Sequence, residues 1–232
     1  MNPTLGRLPL LGPALDSVER WWRRHRFPGS RGYWDDRYRA GATSGAGSYG
    51  PMAEFKAEVL NAFVRERGVR SVLEFGCGDG AQLARAEYPA YVGLDVAPRA
   101  VEICARRFAG DASKRFFVYS DRFPEDLPPE AGRAELSLSL DVLYHLVEES
   151  VFDRHLRDLF ASADRFVVVY SSDFDRTEPT APHVRHRRFT TWVGEQAPAW
   201  RLVRHLPNRY PYREADGSGS LADFYFFEKS IG

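Results

Sequence analysis

Ser71-Val72-Leu73-Glu74-Phe75-Gly76-Cys77-Gly78-Asp79-Gly80 is the stretch that decides the fold. It reads as a short buried strand that ends near an acidic residue and runs into a tight glycine loop. Glycines at alternate positions let a backbone curl closely around a ligand, because no Cβ blocks the approach. The loop is expected to open a helix over Ala81–Ala86, whose first turn would add free N–H donors. Glu74 is an acceptor beside the loop, suited to a cationic or hydroxylated group.

The segments that follow alternate between strand and helix, which predicts parallel βαβ units. Ala90–Asp95 is a second strand. Asp95, at its tip, is placed to accept two ribose hydroxyls, as acids at this point do in nucleotide folds. Its other reading is an N-cap for the helix Pro98–Phe108. Arg115–Ser120 is a third strand with Asp121 at its end, either a partner for an adenine amino group or a turn acid. Ala134–Asp141 is the fourth, leading through Val142-Leu143-Tyr144-His145-Leu146 into a helix that ends near Phe160. Arg165–Tyr170 is the fifth. Trp200–Leu206 and Leu221–Lys229 are the sixth and seventh, joined by a long hairpin. A helix over Met52–Arg67 precedes the first strand.

The dinucleotide fingerprint Gly-x-Gly-x-x-Gly is not met, since Ala81 stands where its third glycine would fall. Glu74-x-Gly76-x-Gly78-x-Gly80 instead resembles motif I of class I S-adenosylmethionine (SAM)-dependent methyltransferases. Asp141-Val142-Leu143-Tyr144-His145-Leu146 after a fourth strand resembles their motif IV. The resemblance implies an α/β, Rossmann-like, seven-stranded, mostly parallel sheet with helices on both faces and an antiparallel last strand. It implies SAM as cofactor and S-adenosylhomocysteine as product. The implied cofactor residues are Glu74, Gly76, Cys77, Gly78, Gly80, Asp95 on the ribose, Val96 (or Ala97) against adenine, Asp121 and Leu140. The segment Trp34…Arg37-Tyr38…Gly45-Ala46-Gly47-Ser48-Tyr49-Gly50 resembles a lid that covers SAM, with Arg37 and Tyr38 on its methionine carboxylate. The wider pattern, residues 33 to about 228, resembles bacterial methyltransferases of polysaccharide and glycan gene clusters.

Methyl transfer from a sulfonium is an in-line displacement, and a hydroxyl acceptor must also lose a proton. His145 is the candidate general base, because imidazole titrates near neutral pH. Asp141, four residues earlier, would orient it or contact the acceptor. Tyr144, Asp173, His183, Arg185, Trp192 and Tyr210 are candidates for the acceptor site, where aromatic platforms and donors suit a sugar. A small phenol, an amine, an RNA hydroxyl or a non-catalytic SAM-binding module are the alternatives. A metal-assisted variant is also open. Small-RNA 2′-O-methyltransferases carry Glu-x-x-Glu-His, and here Asp141, Tyr144 and His145 match, with Glu148 and Glu149 one turn on. His183 and His186 lie among four arginines, which favours an anion over a metal, and no metal is expected.

A chain of 232 residues with formal net charge +0 and 44% apolar residues fits one α/β domain with additions. Zero net charge leaves no electrostatic footprint for nucleic acid. Two cysteines, Cys77 and Cys104, do not make a disulfide framework and fit a cytoplasmic setting. No run approaches the ~20 apolar residues of a membrane span. The first apolar stretch, Leu8–Leu15, is broken by Gly12 and Pro13, so no signal peptide is expected. Residues 1–50 read as an N-terminal arm, helix and lid loop, and residues 51–232 as the SAM-binding domain with C-terminal acceptor-site elements. Leu15–Phe27 has a helical pattern with Trp21 and Trp22 on one face, the candidate contact for a homodimer.

Overall fold

Val72–Phe75 is buried at every position, as a strand covered on both faces must be. In the computed structural model, which describes residues 27–176 and 181–230, this strand, β1, pairs in parallel with both of its neighbours, β2 (Tyr91–Asp95) and β4 (Ala134–Leu140). With β3 (Lys114–Val118), β5 (Ala163–Ser171), β6 (Trp200–Leu206) and β7 (Asp223–Lys229) they form one seven-stranded sheet in the order β3-β2-β1-β4-β5-β7-β6. β7 runs antiparallel to both β5 and β6, as expected of the last strand. The order reverses between β1 and β4, and the crevice at the carboxyl ends of those two strands is where an open α/β sheet takes its ligand.

Side-chain alternation divides the core into two layers. Val167 and Val169 of β5 face one side, where they meet Phe152, Leu156 and Phe160 of α4 (Glu149–Ala161) and Phe189 and Val193 of α5 (Phe189–Gln196). Phe166, Val168 and Tyr170 face the other, against Phe55, Leu60 and Phe63 of α2 (Gly50–Arg67) and Cys104 of α3 (Pro98–Arg107). Pro51 at the start of α2 and Pro98 at the start of α3 lack an N–H where none is needed. Gly68 ends α2 in the left-handed conformation, its N–H returning to the Arg65 carbonyl while the Val69 N–H returns to that of Val64.

Two expectations change. Residues 29–39 form a helix, α1, that packs Tyr38 and Trp34 against Ala97 and Ala100 at the start of α3. The helix expected over Ala81–Ala86 is absent; turns and one short 3-10 segment, Leu83–Arg85, take its place. Asp79 Oδ1 accepts the Ala81 N–H at 3.0 Å, as an N-cap does, but only one i→i−4 bond follows, from Ala84 N–H to the Gly80 carbonyl, before 3-10 bonds from Arg85 and Ala86 close the turn. The helix Leu15–Phe27, with its dimer contact, lies outside the described residues apart from Phe27, which is irregular. Among the described residues no helix is long and apolar enough to cross a membrane.

Candidate functional site

The loop after β1 turns through Gly76 at φ 90° and Gly78 at φ 58°, conformations that disfavour any residue with a Cβ. A Cβ at Gly76 would also sit 2.4 Å from Val142 Cγ2, and one at Gly78 would sit 2.3 Å from Ser44 Oγ. The loop is thus clasped between the end of β4 and the glycine-rich segment 40–50. That segment has only one 3-10 turn, Ala46–Ser48, yet it is tied down. Ser44 N–H and Tyr49 O–H both donate to Asp79 Oδ2, at 3.0 and 2.6 Å, and Asp79 N–H donates back to Ser44 Oγ at 2.8 Å. Burial works to raise the Asp79 carboxyl, but these bonds outweigh it and hold it below its ordinary value. Tyr38 O–H lies 3.0 Å from Ser44 Oγ, which joins α1 to the same anchor.

Beneath this cover lies a cavity of about 340 Å³, within the range of small-molecule sites. Its floor is the loop and the tips of β1, β2 and β4. Its walls are α1, the turn at His145 and the first turns of α4. Three acceptors converge there. Glu74 is 4% exposed and takes the Tyr91 O–H at 2.6 Å; burial pushes it up to about 7. Asp95 accepts Gly78 N–H and Ala97 N–H, each at 2.9 Å, and burial raises it to about 6. Asp95 therefore braces both the loop and the entry to α3 while still lining the cavity. Gln82 donates to the Ala53 carbonyl at 3.1 Å, and its buried Oε1 has no partner. A pocket with two carboxyls held against ionisation and an orphaned carbonyl oxygen calls for a ligand that brings donors and positive charge.

His145 forms the last residue of a 3-10 turn, Leu143–His145, just after β4. Its Nδ1 bonds the His183 carbonyl at 3.0 Å, which requires the proton on Nδ1 and leaves the Nε2 lone pair free. Burial lowers its pKa to about 4. The ring meets Trp34 edge-on at 5.0 Å and stacks on His183 at 5.4 Å; His183 in turn stacks on Tyr33 at 4.4 Å. Asp141 does not touch His145. Its oxygens take Lys56 Nζ at 2.5 Å and Tyr144 O–H at 2.7 Å.

The structure brings Glu74, Gly76, Cys77, Gly78, Asp95, Val96, Asp121, Leu140, Tyr38, Asp141 and His145 to this one cavity. Asp121 lines it while paired with Arg154, and it lies 3.5 Å from Arg31. Other expected site residues are engaged elsewhere. Gly80 faces Phe108 and Cys104, so it serves helix packing. Arg37 donates to the Thr43 carbonyl at 2.8 Å and lies over Trp34. Tyr144 reaches the cavity only through Asp141. Asp173 ties down the first turn of α5 by accepting Thr190 N–H and O–H. Arg185 bonds the Val147 carbonyl and Glu149. Trp192 donates to Asp153 on the α4 side of the sheet. Tyr210 is exposed beside Phe55. His183 contributes its carbonyl and ring to holding His145. The metal-assisted set does not assemble: Glu148 accepts Ser30 N–H and O–H, and Glu149 pairs with Arg185 and Arg187. Among the described residues no three metal-ligating side chains converge.

Sequence reasoning passed over Lys56, Ser44, Asp79 and Gln82. Only Asp79, inside the glycine loop, carried a local signal. Lys56 lies on the buried face of a helix, where a lysine looks like noise in an apolar stripe.

A family model described as a methyltransferase domain matches residues 49–213, the greater part of the chain. Among solved structures, the N-methyltransferase NodS from Bradyrhizobium japonicum WM9, in complex with S-adenosyl-L-homocysteine, superposes with a TM-score of 0.63 at 16% identity, over 88% of this chain and 100% of that one. Magnesium protoporphyrin IX methyltransferase from Synechocystis PCC 6803, also with bound S-adenosylhomocysteine, gives 0.60 at 16% identity, over 86% and 98%. The methyltransferase domain of bacterial CtHen1-C gives 0.56 at 16% identity, over 76% and 97%. At such identities the likeness is one of fold. No curated protein sequence matches the chain.

Proposed function

We propose that this chain, which belongs to the methyltransferase-domain family, moves a methyl group from SAM to a hydroxyl oxygen of a sugar or oligosaccharide, with His145 as the base. The acceptors of the cavity suit SAM. Glu74, Asp95 and Gln82 Oε1 want donors and positive charge, and SAM brings an ammonium, ribose hydroxyls and a sulfonium. Two of the structural neighbours hold the demethylated product in the same fold. When bound, SAM supplies an electrophilic methyl on a cationic sulfur.

The observation that carries the hydroxyl reading is the fixed tautomer of His145. Donation from Nδ1 to His183 leaves Nε2 as a lone-pair acceptor on a ring that lines the cavity. With a pKa of about 4 the ring is neutral at pH 7. A base that weak cannot ionise an alcohol beforehand. It takes the proton as the new C–O bond forms, when the oxygen becomes strongly acidic. An uncharged amine acceptor has no such need. Trp34, flat and beside His145, offers the platform a sugar ring uses. Zero net charge weighs against a polynucleotide acceptor.

The test is His145→Gln, assayed with SAM against methyl glycosides, phenols and amines, with SAM affinity measured by calorimetry. Turnover on a hydroxyl acceptor should fall while SAM affinity stays. Wild-type turnover in the variant removes His145 from the reaction, and methylation of amines alone removes the hydroxyl reading.

A further inference from the structure

Asp141 is held from three sides. Lys56, on α2, is 1% exposed and donates to its Oδ2 at 2.5 Å. Tyr144 donates to its Oδ1 at 2.7 Å. Gly47 of the lid segment lies so close that a Cβ there would come within 2.8 Å of Oδ2. The backbone is constrained as well: Asp141 has φ 60°, the one non-glycine residue with positive φ among those described. Strained backbone at a non-glycine position persists where the surroundings over-determine it, often at a functional site.

A buried ion pair is a poor way to gain stability, because two apolar residues of similar volume usually do as well or better. Lys56 does not line the cavity; Asp141 does, with 17% of its side chain open. The ammonium therefore faces the protein and the carboxylate faces the ligand space. A carboxylate offers about four lone-pair positions, and Lys56 and Tyr144 use one on each oxygen. The pair is neutral overall, so it accepts hydroxyl donors without recruiting a cation. One 3-10 turn, Leu143–His145, separates Asp141 from the free Nε2 of His145.

Resting on the hydroxyl reading above, we propose that Lys56 is a positioning residue that aims Asp141 at the hydroxyl next to the one being methylated, so that the acceptor is a neutral vicinal diol.

The experiment uses the full chain saturated with S-adenosylhomocysteine. Binding of trans-cyclohexane-1,2-diol, cyclohexanol and methyl glycosides is followed by ligand-observed NMR. The variants are D141N, K56M and the double K56M/D141N, which carries no uncompensated buried charge and guards against a folding defect. The wild type should prefer the diol over the monool by about 10- to 100-fold, the range of one charge-assisted hydrogen bond. All three variants should lose that preference, the double no more than either single, while S-adenosylhomocysteine affinity changes by less than about threefold, well under the tenfold step of one such bond. Diol preference that survives in the well-folded double variant overturns the inference alone. Failure of every diol and glycoside to bind the wild type removes the hydroxyl reading, and this inference with it.

Discussion

Replacing Glu74 by glutamine should stabilise the cofactor-free protein at alkaline pH and weaken SAM at the same time. Burial lifts the Glu74 carboxyl from 4.5 to about 7. Between those values the folded chain binds a proton that the unfolded chain has released. Stability therefore falls as pH rises through this window, and the full deficit is present above about pH 7. At about 1.4 kcal/mol per pH unit, the rise is worth about 3 kcal/mol, an order-of-magnitude figure. Glutamine is neutral at every pH and keeps an oxygen for the Tyr91 O–H. Its amide hydrogens lack a ready partner, which costs about 1–3 kcal/mol regardless of pH. The absolute gain at pH 8 is thus small. The difference in stability between variant and wild type should still swing by about 3 kcal/mol from pH 4.5 to 8, or roughly 6–12 °C in Tm for a chain of this size. Thermal unfolding followed by circular dichroism at half-unit pH steps measures that swing. Calorimetry at pH 8 should show SAM bound roughly 10- to 100-fold more weakly by the variant. A Tm difference that is flat with pH refutes the argument from burial, and an unchanged SAM affinity refutes the placement of the ligand's cationic group near Glu74.

Further perturbations probe other parts of the site. With SAM saturating, the acid limb of kcat/KM for the acceptor should lie near pH 4, where His145 takes up its second proton; a limb at the ordinary imidazole value would mean that burial does not control this group. His145→Gln should remove that limb and lower kcat by about 100-fold or more, as read by the release of S-adenosylhomocysteine. Asp79→Ala deletes the acceptor for Ser44 N–H, Tyr49 O–H and Ala81 N–H; amide exchange over residues 42–50 should speed up and SAM affinity should drop, with about 2–3 kcal/mol lost in stability by denaturant unfolding. Gly76→Ala places a Cβ 2.4 Å from Val142 Cγ2 at φ 90°; it should cost about 2–4 kcal/mol from backbone strain and overpacking and abolish SAM binding, whereas Gly45→Ala, with open space around it and φ 97°, ψ 171°, should cost only its backbone strain, about 1–3 kcal/mol.

What the residues disclose before folding, and what they withhold, follows from how local each cause is. The sheet was legible because its causes are local. Each strand is a short apolar or alternating run, each crossing helix keeps its own period, and the glycines of the loop announce a backbone conformation that few other residues take. The floor of the cavity was legible for the same reason, since Glu74, Asp95 and Leu140 stand at the tips of strands that read clearly. Other features were opaque. The helix expected after Gly80 tightens into a 3-10 turn whose end, the Arg85 carbonyl and the Glu87 N–H, is held by Asn61 of α2, and local propensity does not weigh such a partner. The anchoring of segment 40–50 was opaque for a different reason. Glycine-rich residues 40–50 hold little structure of their own, and their order comes from an acid 30 or more residues away. Lys56 is the sharpest case. Within α2 it is an interruption of the buried face, yet Asp141, 85 residues later, makes it the buried end of an ion pair. A charge in an apolar stripe is costly enough to demand a partner, but the helix alone does not name it, and the partner's identity belongs to the topology that sets β4 beside α2. The acceptor-side candidates are engaged along the same line. Asp173, Trp192 and Arg185 have the right chemistry, but each completes a bond that the C-terminal elements need to pack. Asp141 and His145, which do line the cavity, have their partners, Lys56 and the His183 carbonyl, behind them.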